Sequence, residues 1–412
     1  MTIDVTPLRA SRDYRLLWFG QLVSLSGSQL RFVAVPYQVW LLTRSPLAVG
    51  MIGLFQAVPL MVFSLWGGVV ADHVDRRKLL LLTQVGLAGV SVGLAVGTAT
   101  GFARLPYLYA LTAAGATLSA LDGPARQSMI PSLVGRERIP AAMALNQVLF
   151  QTSGVIGPAV GGLLIAWVGL ATTYWVDVAT YGAAITAVAM MRPPARRADG
   201  GRPGLRSLVE GLRYLRGNRV LLSTMGIDLM AMFLSSPRAL YPFFAEEVFA
   251  VGPQGLGLLF AAPGAGALAG ALFAGWVQHV RRQGAAVLIA VAGWGLAIAA
   301  FGIVNRWFWL GLVFLAAAGM SDVFSAIFRG TILQMMVPDR LRGRMTAVNL
   351  MVVISGPRLG EVWSGAFASL ASPVFAVGAG GLACVAGVVI VAMLVPALRR
   401  YEVDPDRLEA DE

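Results

Sequence analysis

The chain has 412 residues, of which 57% are hydrophobic and 13% charged, with 48 glycines. A soluble domain carries about 25% charged residues, and the apolar stretches run ~20 residues unbroken rather than ~10 with alternation, which excludes a β-barrel and indicates a polytopic helical membrane protein. A net charge of +11 would suggest nucleic acid in a soluble protein, but here the cations sit in loops, where they set membrane orientation, and no nucleic-acid partner is expected.

Twelve spanning helices are predicted, at 14–41, 46–71, 78–98, 104–133, 140–167, 171–191, 220–247, 255–278, 285–303, 307–337, 343–370 and 374–397. Asp4, Arg9, Arg12 and Asp13 precede a first span long enough to act as its own insertion signal, so no cleavable leader is expected. Between the second and third spans, GGVVADHVDRRKLLL (Gly67 to Leu81) leaves room only for a tight hairpin at a membrane surface. Its adjacent cations Arg76, Arg77 and Lys78 mark that surface as cytoplasmic. Residues 192–219 form a polar connector, and the helical spacing of apolar residues from Leu205 to Leu215 predicts a surface-lying amphipathic helix. The expected organisation is a six-helix bundle over 1–191, this cytoplasmic linker, a second six-helix bundle over 220–400 and a disordered acidic tail over 401–412.

Of the 32 Lys and Arg, 24 fall in segments on the same side as the amino terminus, and only Arg44, Arg104 and Arg306 fall in the opposite loops. That bias places both termini in the cytoplasm. The two halves also repeat. Arg31 and Arg238, Gly50 and Gly257, Gly68 and Gly275, and Pro131 and Pro338 are each 207 residues apart. Beyond a shorter loop the offset becomes 203, matching Asn146 with Asn349, Gly157 with Gly360 and Gly162 with Gly365. Two parallel pseudo-symmetric halves follow, related by an axis along the membrane normal.

GGVVADHVDRRK resembles the loop signature of major facilitator transporters, with Gly68, Ala71, Asp72, Arg76 and Arg77 on its positions. His73 stands where the pattern has Arg and Asp75 where it has Gly. LDGPARQSMIPSLVGRERIPAAMALNQ (Leu121 to Gln147), GPAVGG (Gly157 to Gly162), RALYPFFAEE, GLGLLFAAPGAGALAGAL and LRGRMTAVNL are similar to the branch of enterobactin exporters and macrolide efflux proteins. The fourth helix lacks the Arg-containing signature that many proton-driven relatives carry near its outer half. The resemblance implies a major facilitator fold, helices 1, 4, 7 and 10 around a central cavity, and export rather than uptake.

The resemblance assigns gating to the loop residues Gly68, Asp72, Arg76 and Arg77, with Asp72 placed to accept from a helix amino terminus or from Arg126, the alternative being a positive-inside hairpin with no gating role. Gly157 and Pro158 belong to the same group, since proline removes a backbone bond and bends its helix. Gly154, Gly157, Gly161 and Gly162 give that helix smooth faces for close neighbours, and ordinary small-residue packing is the alternative reading of this segment. Inside the spans lie five acids (Asp122, Asp177, Asp228, Asp322 and Glu361) and five bases (Arg31, Arg126, Arg238, Arg329 and Arg358). Each costs roughly 2.5–3.5 kcal/mol at a helix centre, so none can face lipid and equal numbers suggest pairing. Asp122 with Arg126, and Arg358 with Glu361, have i,i+4 and i,i+3 spacing and read as structural or gating pairs. Asp177 reads as lying near an outer helix end, reaching interfacial water. Arg31 and Arg238 are repeat-equivalent, have no acid within a turn and precede Pro36 and Pro242, which are expected to weaken the helix beside each arginine. Projecting into the cavity that the resemblance implies, they would bind an anionic or phenolic, acceptor-rich molecule by forked hydrogen bonds and stacking, the alternative being structural pairing with acids on other helices. Asp228 and Asp322 read as substrate-binding and proton-coupling acids, since a carboxyl in a low-dielectric cavity holds its proton and a nearby arginine reverses that. Asp122 is a third candidate for coupling.

The only lysine, Lys78, follows Arg77, so the chain has no phosphate-binding Gly-Lys-Ser/Thr loop and no means of ATP-driven transport. His73 and His279 are the only imidazoles and Cys384 the only thiol, so no cofactor, metal site, disulfide or nucleophile–His–acid set is expected. The expected function is that of a non-enzymatic, monomeric secondary exporter in the bacterial inner membrane. It would move a small organic molecule, a siderophore by resemblance, in exchange for protons by alternating access. The rivals are a multidrug or macrolide pump of the same fold and, in a different class, a non-transporting membrane sensor or scaffold. A lipid-acting enzyme lacks a catalytic constellation.

Overall fold

Within a bilayer the backbone has no water to bond, so each apolar run must satisfy its own amides as helix. The structure, a computed structural model, describes residues 4–73, 75–192, 210, 213–304 and 306–402, with the side chains of 64–73, 278, 339, 340 and 347 outside the described set. Among the described residues there is no strand, and twelve long helices follow one another. They are α1 (Arg12–Thr43), α2 (Pro46–His73), α3 (Arg76–Ala99), α4 (Leu105–Val134), α5 (139–168), α6 (170–189), α7 (Arg219–Ser235, continued by irregular turns to Val248), α8 (Gly252–Leu272), α9 (Gln283–Ile303), α10 (Phe308–Met336), α11 (Asp339–Leu370) and α12 (Pro373–Leu394). Among the described residues, eight stretches are long and apolar enough to cross a membrane, α5 and α6 counting as one. The helices outside that set, α1, α4 and α11, carry charges and amides along their length.

Short polar residues in the loops start these helices. Ser11 accepts from the Tyr14 amide at 3.2 Å, Asn218 from Val220 and Leu221 at 3.1 and 3.2 Å, and Ser372 from Phe375 at 3.2 Å. Asp75 caps α3, accepting from the Arg77 and Lys78 amides at 2.9 and 3.2 Å. The departure from the loop signature at this position is thus a helix cap. Gly169 divides α5 from α6 with φ 78° and ψ 172°, a backbone region essentially confined to glycine.

The seventh span is not one regular helix. Ser236, restricted by the following Pro237, turns extended at ψ 110°. A 3-10 turn over Arg238–Leu240 follows, and then a π turn over Phe244–Val248. The break therefore falls before Arg238, whereas sequence placed the weak point at Pro242, which starts a short helical turn without harm. Phe244 and Tyr241 pack their rings on Phe301 of α9, at 4.7 and 6.2 Å.

The molecule divides into two compact units: Met1–Arg44, Phe55–Arg202 and Val251–Ala261 in one, and Ser45–Leu54, Pro203–Ala250 and Ala262–Glu412 in the other. In unit 1, α1 packs along α5 and α6, and α3 packs on α4 and the same pair. In unit 2, α9 packs on α10 and α12, and α7 on α11 and α12. Neither unit is a plain sequence half, because each takes the start of one helix from the other half. Glycines explain these exchanges. In unit 1 a Cβ on Gly162 of α5 would stand 2.7 Å from the Gly257 Cα of α8, and in unit 2 one on Gly365 of α11 would stand 3.0 Å from the Gly50 Cα of α2. Gly50 with Gly257 and Gly162 with Gly365 are the repeat pairs read from sequence, so the repeat is expressed as two matching backbone-to-backbone crossings.

The connector over 192–219 and the tail over 401–412 lie largely outside the described residues. Where described, Tyr214 donates to the Met336 carbonyl at the end of α10 at 3.0 Å, Glu210 pairs with Arg344 of α11, and Glu402 accepts from Arg282 at 2.9 Å.

Candidate functional site

Unit 1 gathers a polar cluster around Arg31. Its Nη1 donates to Ser91 Oγ of α3 at 3.2 Å and its Nη2 to the Tyr181 hydroxyl of α6 at 3.1 Å. The guanidinium carbon also lies 5.8 Å from the centre of the Tyr181 ring, within cation–π range. Ser91 donates onward to Asp177 Oδ2 at 2.6 Å, and that oxygen lies 3.9 Å from Arg31 Nη1. Asp177 is fully buried, and its Oδ1 has no hydrogen-bond partner. The expectation that Asp177 reaches interfacial water is therefore wrong. It sits two turns inside α6 and faces a cation on another helix, which spacing along one helix cannot reveal. Two turns along α1 from Arg31, Gln38 bonds Thr98 of α3 and Tyr174 of α6, both at 2.9 Å.

Farther along the unit, Asp122 and Arg126 form the predicted pair, with contacts of 2.9 and 3.2 Å to Asp122 Oδ2. Thr83 and Gln84 of α3 donate to the other carboxylate oxygen at 2.8 and 2.7 Å. Asp122 thus accepts four hydrogen bonds. Arg76 donates to the Ser128 carbonyl of α4 at 3.0 Å, and Arg77 to the Val188 and Ala189 carbonyls that end α6. Both loop arginines therefore fasten helices of their own unit. Gly68 and Asp72 have side-chain positions outside the described set.

Unit 2 gathers its charges around Arg329 of α10. Arg329 pairs with the buried Asp228 of α7 and lies 3.9 Å from Asp322, one face of α10 supplying both ends of the latter contact. The Asp322 side chain remains 40% exposed, against 8% for Asp228 and 12% for Arg329. The charge of Arg238, on the 3-10 turn after the break in α7, acts on both Asp322 and Glu361. The expected Arg358–Glu361 pair is not a hydrogen-bonded one. Arg358 instead donates to the Ile354 carbonyl at 2.6 Å, its Nε has no hydrogen-bond partner, and Glu361 acts on it only through space. Pro357, just before Arg358, lies inside α11 and withdraws the backbone donor from the Val353 carbonyl, one residue before the acceptor that Arg358 uses. Glu361 lies at the α2–α11 crossing, where a Cβ on Gly53 would come within 3.1 Å of its carboxylate. Pro158 lies within α5, its carbonyl against Gly257, and Gly157 and Gly161 face Gln29 and Leu30 of α1.

No group of three or more potential metal ligands occurs among the described residues. Arg31, Asp122, Arg238, Asp322, Arg329 and Arg358 are half-buried rather than fully buried, and charged side chains of this kind can bind a polar solute. The family is decided by a match of residues 2–409 to the model described as transmembrane secretion effector. The chain belongs to that family of major facilitator transporters. It is a multi-pass membrane transporter, not an enzyme, and as a secondary transporter it acts on a small-molecule substrate. It is similar to the enterobactin exporter EntS of Shigella boydii serotype 18 and to that of Escherichia coli strain SMS-3-5, 28% identical in each case over 417 residues, covering 100% of this chain and 98% of the relative. In fold it resembles the crystal structure of the nucleoside transporter NupG, with a TM-score of 0.75 and 12% identity over 94% of this chain and 99% of the other.

The transporter's sequence pointed to Arg31, Arg238, Asp228, Asp322 and the Asp122–Arg126 pair, and the structure gives each a charged environment. It did not point to Ser91, Tyr181, Gln38 or the bridging position of Arg329. The only available signal was the count of five acids against five bases.

Proposed function

We propose that this transporter is a secondary active exporter of an acceptor-rich small organic molecule, a metal-free siderophore of the enterobactin type, working by alternating access in exchange for protons. Partly exposed charge inside spanning helices carries the reading: Asp322 at 40% and Arg31 at 15% side-chain exposure cannot face lipid and so mark a wet path. Full-length likeness to enterobactin exporters supports the substrate class. Arg31 and Arg238 bind the substrate together with Asp228 and Asp322. Coupling belongs first to Asp322, which is the most open to solvent and within reach of Arg329, then to Asp228, and last to the fully bonded Asp122.

Gating is assigned to Gly68, Asp72, Arg76, Arg77, Arg126, Gly157, Pro158, Arg358 and Glu361. The position of Glu361 at a glycine crossing supports its place in that set. The protein is read as a monomer of the bacterial inner membrane, with the repeated six-helix halves 1–191 and 220–400 and both termini in the cytoplasm. The test is uptake by inside-out membrane vesicles of metal-free enterobactin and of a lipophilic cationic dye, with and without an imposed pH gradient. Enterobactin uptake that depends on the gradient is expected. Accumulation of the dye alone would replace the siderophore reading with a drug pump, and movement of neither would overturn transport of this class.

A further inference from the structure

Arg31 and Arg238 occupy equivalent positions in the two halves, but their surroundings are not equivalent. At the offsets of 203 and 207, Asp177, Ser91 and Tyr181 correspond to Gly380, Ile298 and Cys384, none of which carries a carboxylate or hydroxyl. The helix crossing beside them is reversed as well. In the first half the glycine is on α1: a Cβ on Gly27 would meet Thr180 Oγ1 first and would stand 2.8 Å from Asp177 Oδ1, so its absence admits both side chains of α6 to the flank of α1 one turn from Arg31. In the second half the glycine is Gly380 on α12, and the Leu234 carbonyl of α7 fills the corresponding space. Leu234 is itself the counterpart of Gly27.

Asp177 therefore has a local purpose found only in the first half. Ser91 accepts from Arg31 and donates to Asp177, so the acid acts on the guanidinium both through this hydroxyl and by direct attraction at 3.9 Å. Tyr181 holds the other terminal nitrogen. A guanidinium has five N–H donors in a rigid fork, and these bonds engage two of them. Three donors are left for another acceptor.

We propose that Asp177 is the positioning residue for Arg31: with Ser91 and Tyr181 it fixes the guanidinium so that its remaining donors face the substrate as a preformed fork. The proposal rests on the reading of Arg31 as a substrate-binding residue. A fork held this way suits two neighbouring acceptor oxygens, the arrangement a catechol offers. The counter-charge of Asp177 cancels that of Arg31, so recognition depends on hydrogen-bond geometry and accommodates a phenolic ligand that is neutral at pH 7, phenols titrating near pKa ~10. Asp177 itself never touches the substrate.

The test compares KM and Vmax for metal-free enterobactin in inside-out vesicles containing Arg31→Gln, Asp177→Asn, Ser91→Ala and the double variant Arg31→Gln/Asp177→Asn, alongside the amount of each protein in the membrane. Arg31→Gln is expected to raise KM at least tenfold, about 1.4 kcal/mol, as loss of a charge-assisted hydrogen bond would. Asp177→Asn and Ser91→Ala are expected to raise KM by roughly half that factor or more on a logarithmic scale, with Vmax within about twofold. The double variant is expected to be no worse than Arg31→Gln alone, because a residue acting only through Arg31 has nothing left to act on. A raised KM for Arg31→Gln with unchanged KM for Asp177→Asn and Ser91→Ala would overturn the positioning role and leave Arg31 in place. An unchanged KM for Arg31→Gln would overturn the underlying substrate reading. Should Asp177→Asn fail to reach the membrane, Ser91→Ala, which keeps both charges, decides the matter by the same criterion.

Discussion

Arg329 is shared between two acids, and this makes the cost of removing either one calculable. Asp228 is the buried partner and Asp322 the more exposed one, 3.9 Å away. Deleting one member of a buried pair costs about 3–5 kcal/mol, because the surviving charge is left uncompensated. Here the surviving charge keeps a second partner. Two unit charges at 4 Å attract by about 4 kcal/mol at an effective dielectric of 20. Because Asp322 is 40% exposed, screening by water and the cost of ordering reduce that to about 1 kcal/mol. Asp228→Asn is therefore expected to cost about 2–4 kcal/mol and Asp322→Asn about 1 kcal/mol or less. The Asp228→Asn/Asp322→Asn double variant, which strands Arg329, should exceed their sum by at least 1 kcal/mol. Adding Arg329→Met to the double variant should recover much of the loss, since no buried charge then remains. The assay is unfolding of detergent-purified protein, by thermal midpoint and by titration with SDS in mixed micelles. Additivity of the two single variants within about 0.5 kcal/mol would refute the sharing of Arg329.

Three further outcomes follow from other parts of the structure. Arg77→Ala removes donors from the carbonyls ending α6, and a loss of about 1 kcal/mol in detergent stability is expected, measured by thermal midpoint. Gly162→Ala forces a Cβ against the backbone of Gly257, a clash of the kind that costs about 1–3 kcal/mol, and Gly365→Ala should do the same against Gly50. Slowed vesicle uptake alongside lowered stability is the expected readout for both, and normal behaviour would argue against close crossings there. Ser235→Ala strands the buried Trp294 indole N–H, which now donates to Ser235 Oγ at 2.8 Å. A loss of about 1–3 kcal/mol is expected, again by thermal midpoint.

Much of the fold was legible because bilayer-length apolar runs, punctuated by charged loops, admit few alternatives. The repeat was legible too, since Arg31 with Arg238 and Asn146 with Asn349 recur at fixed offsets that composition alone would not produce. What the repeated glycines do was not legible: offsets relate Gly50 to Gly257 and Gly162 to Gly365, whereas the structure packs Gly50 on Gly365 and Gly257 on Gly162. The site was half visible. Charges inside spans announce themselves, but their partners lie on helices far away in sequence. Asp177 looked peripheral because its depth depends on α1 and α3 rather than on its own neighbours. Arg358 and Glu361 looked paired by spacing, and the Ile354 carbonyl one turn back on the same helix took the donor instead. Asp75 looked like a lost turn glycine and proved to be a cap, a role legible in hindsight from the two amides that follow it.

Siderophore movement and proton movement are proposed to be one event in this transporter, with Asp322 linking them. Purified protein in proteoliposomes loaded with a pH-sensitive dye, challenged with a gradient of metal-free enterobactin, tests this directly. A proton flux opposite in direction to enterobactin is expected; it disappears in Asp322→Asn, while exchange of enterobactin for enterobactin persists in that variant at a raised KM, Asp322 also being a substrate-binding residue. Enterobactin transport without any accompanying proton flux, or a flux indifferent to the loss of Asp322, would contradict it.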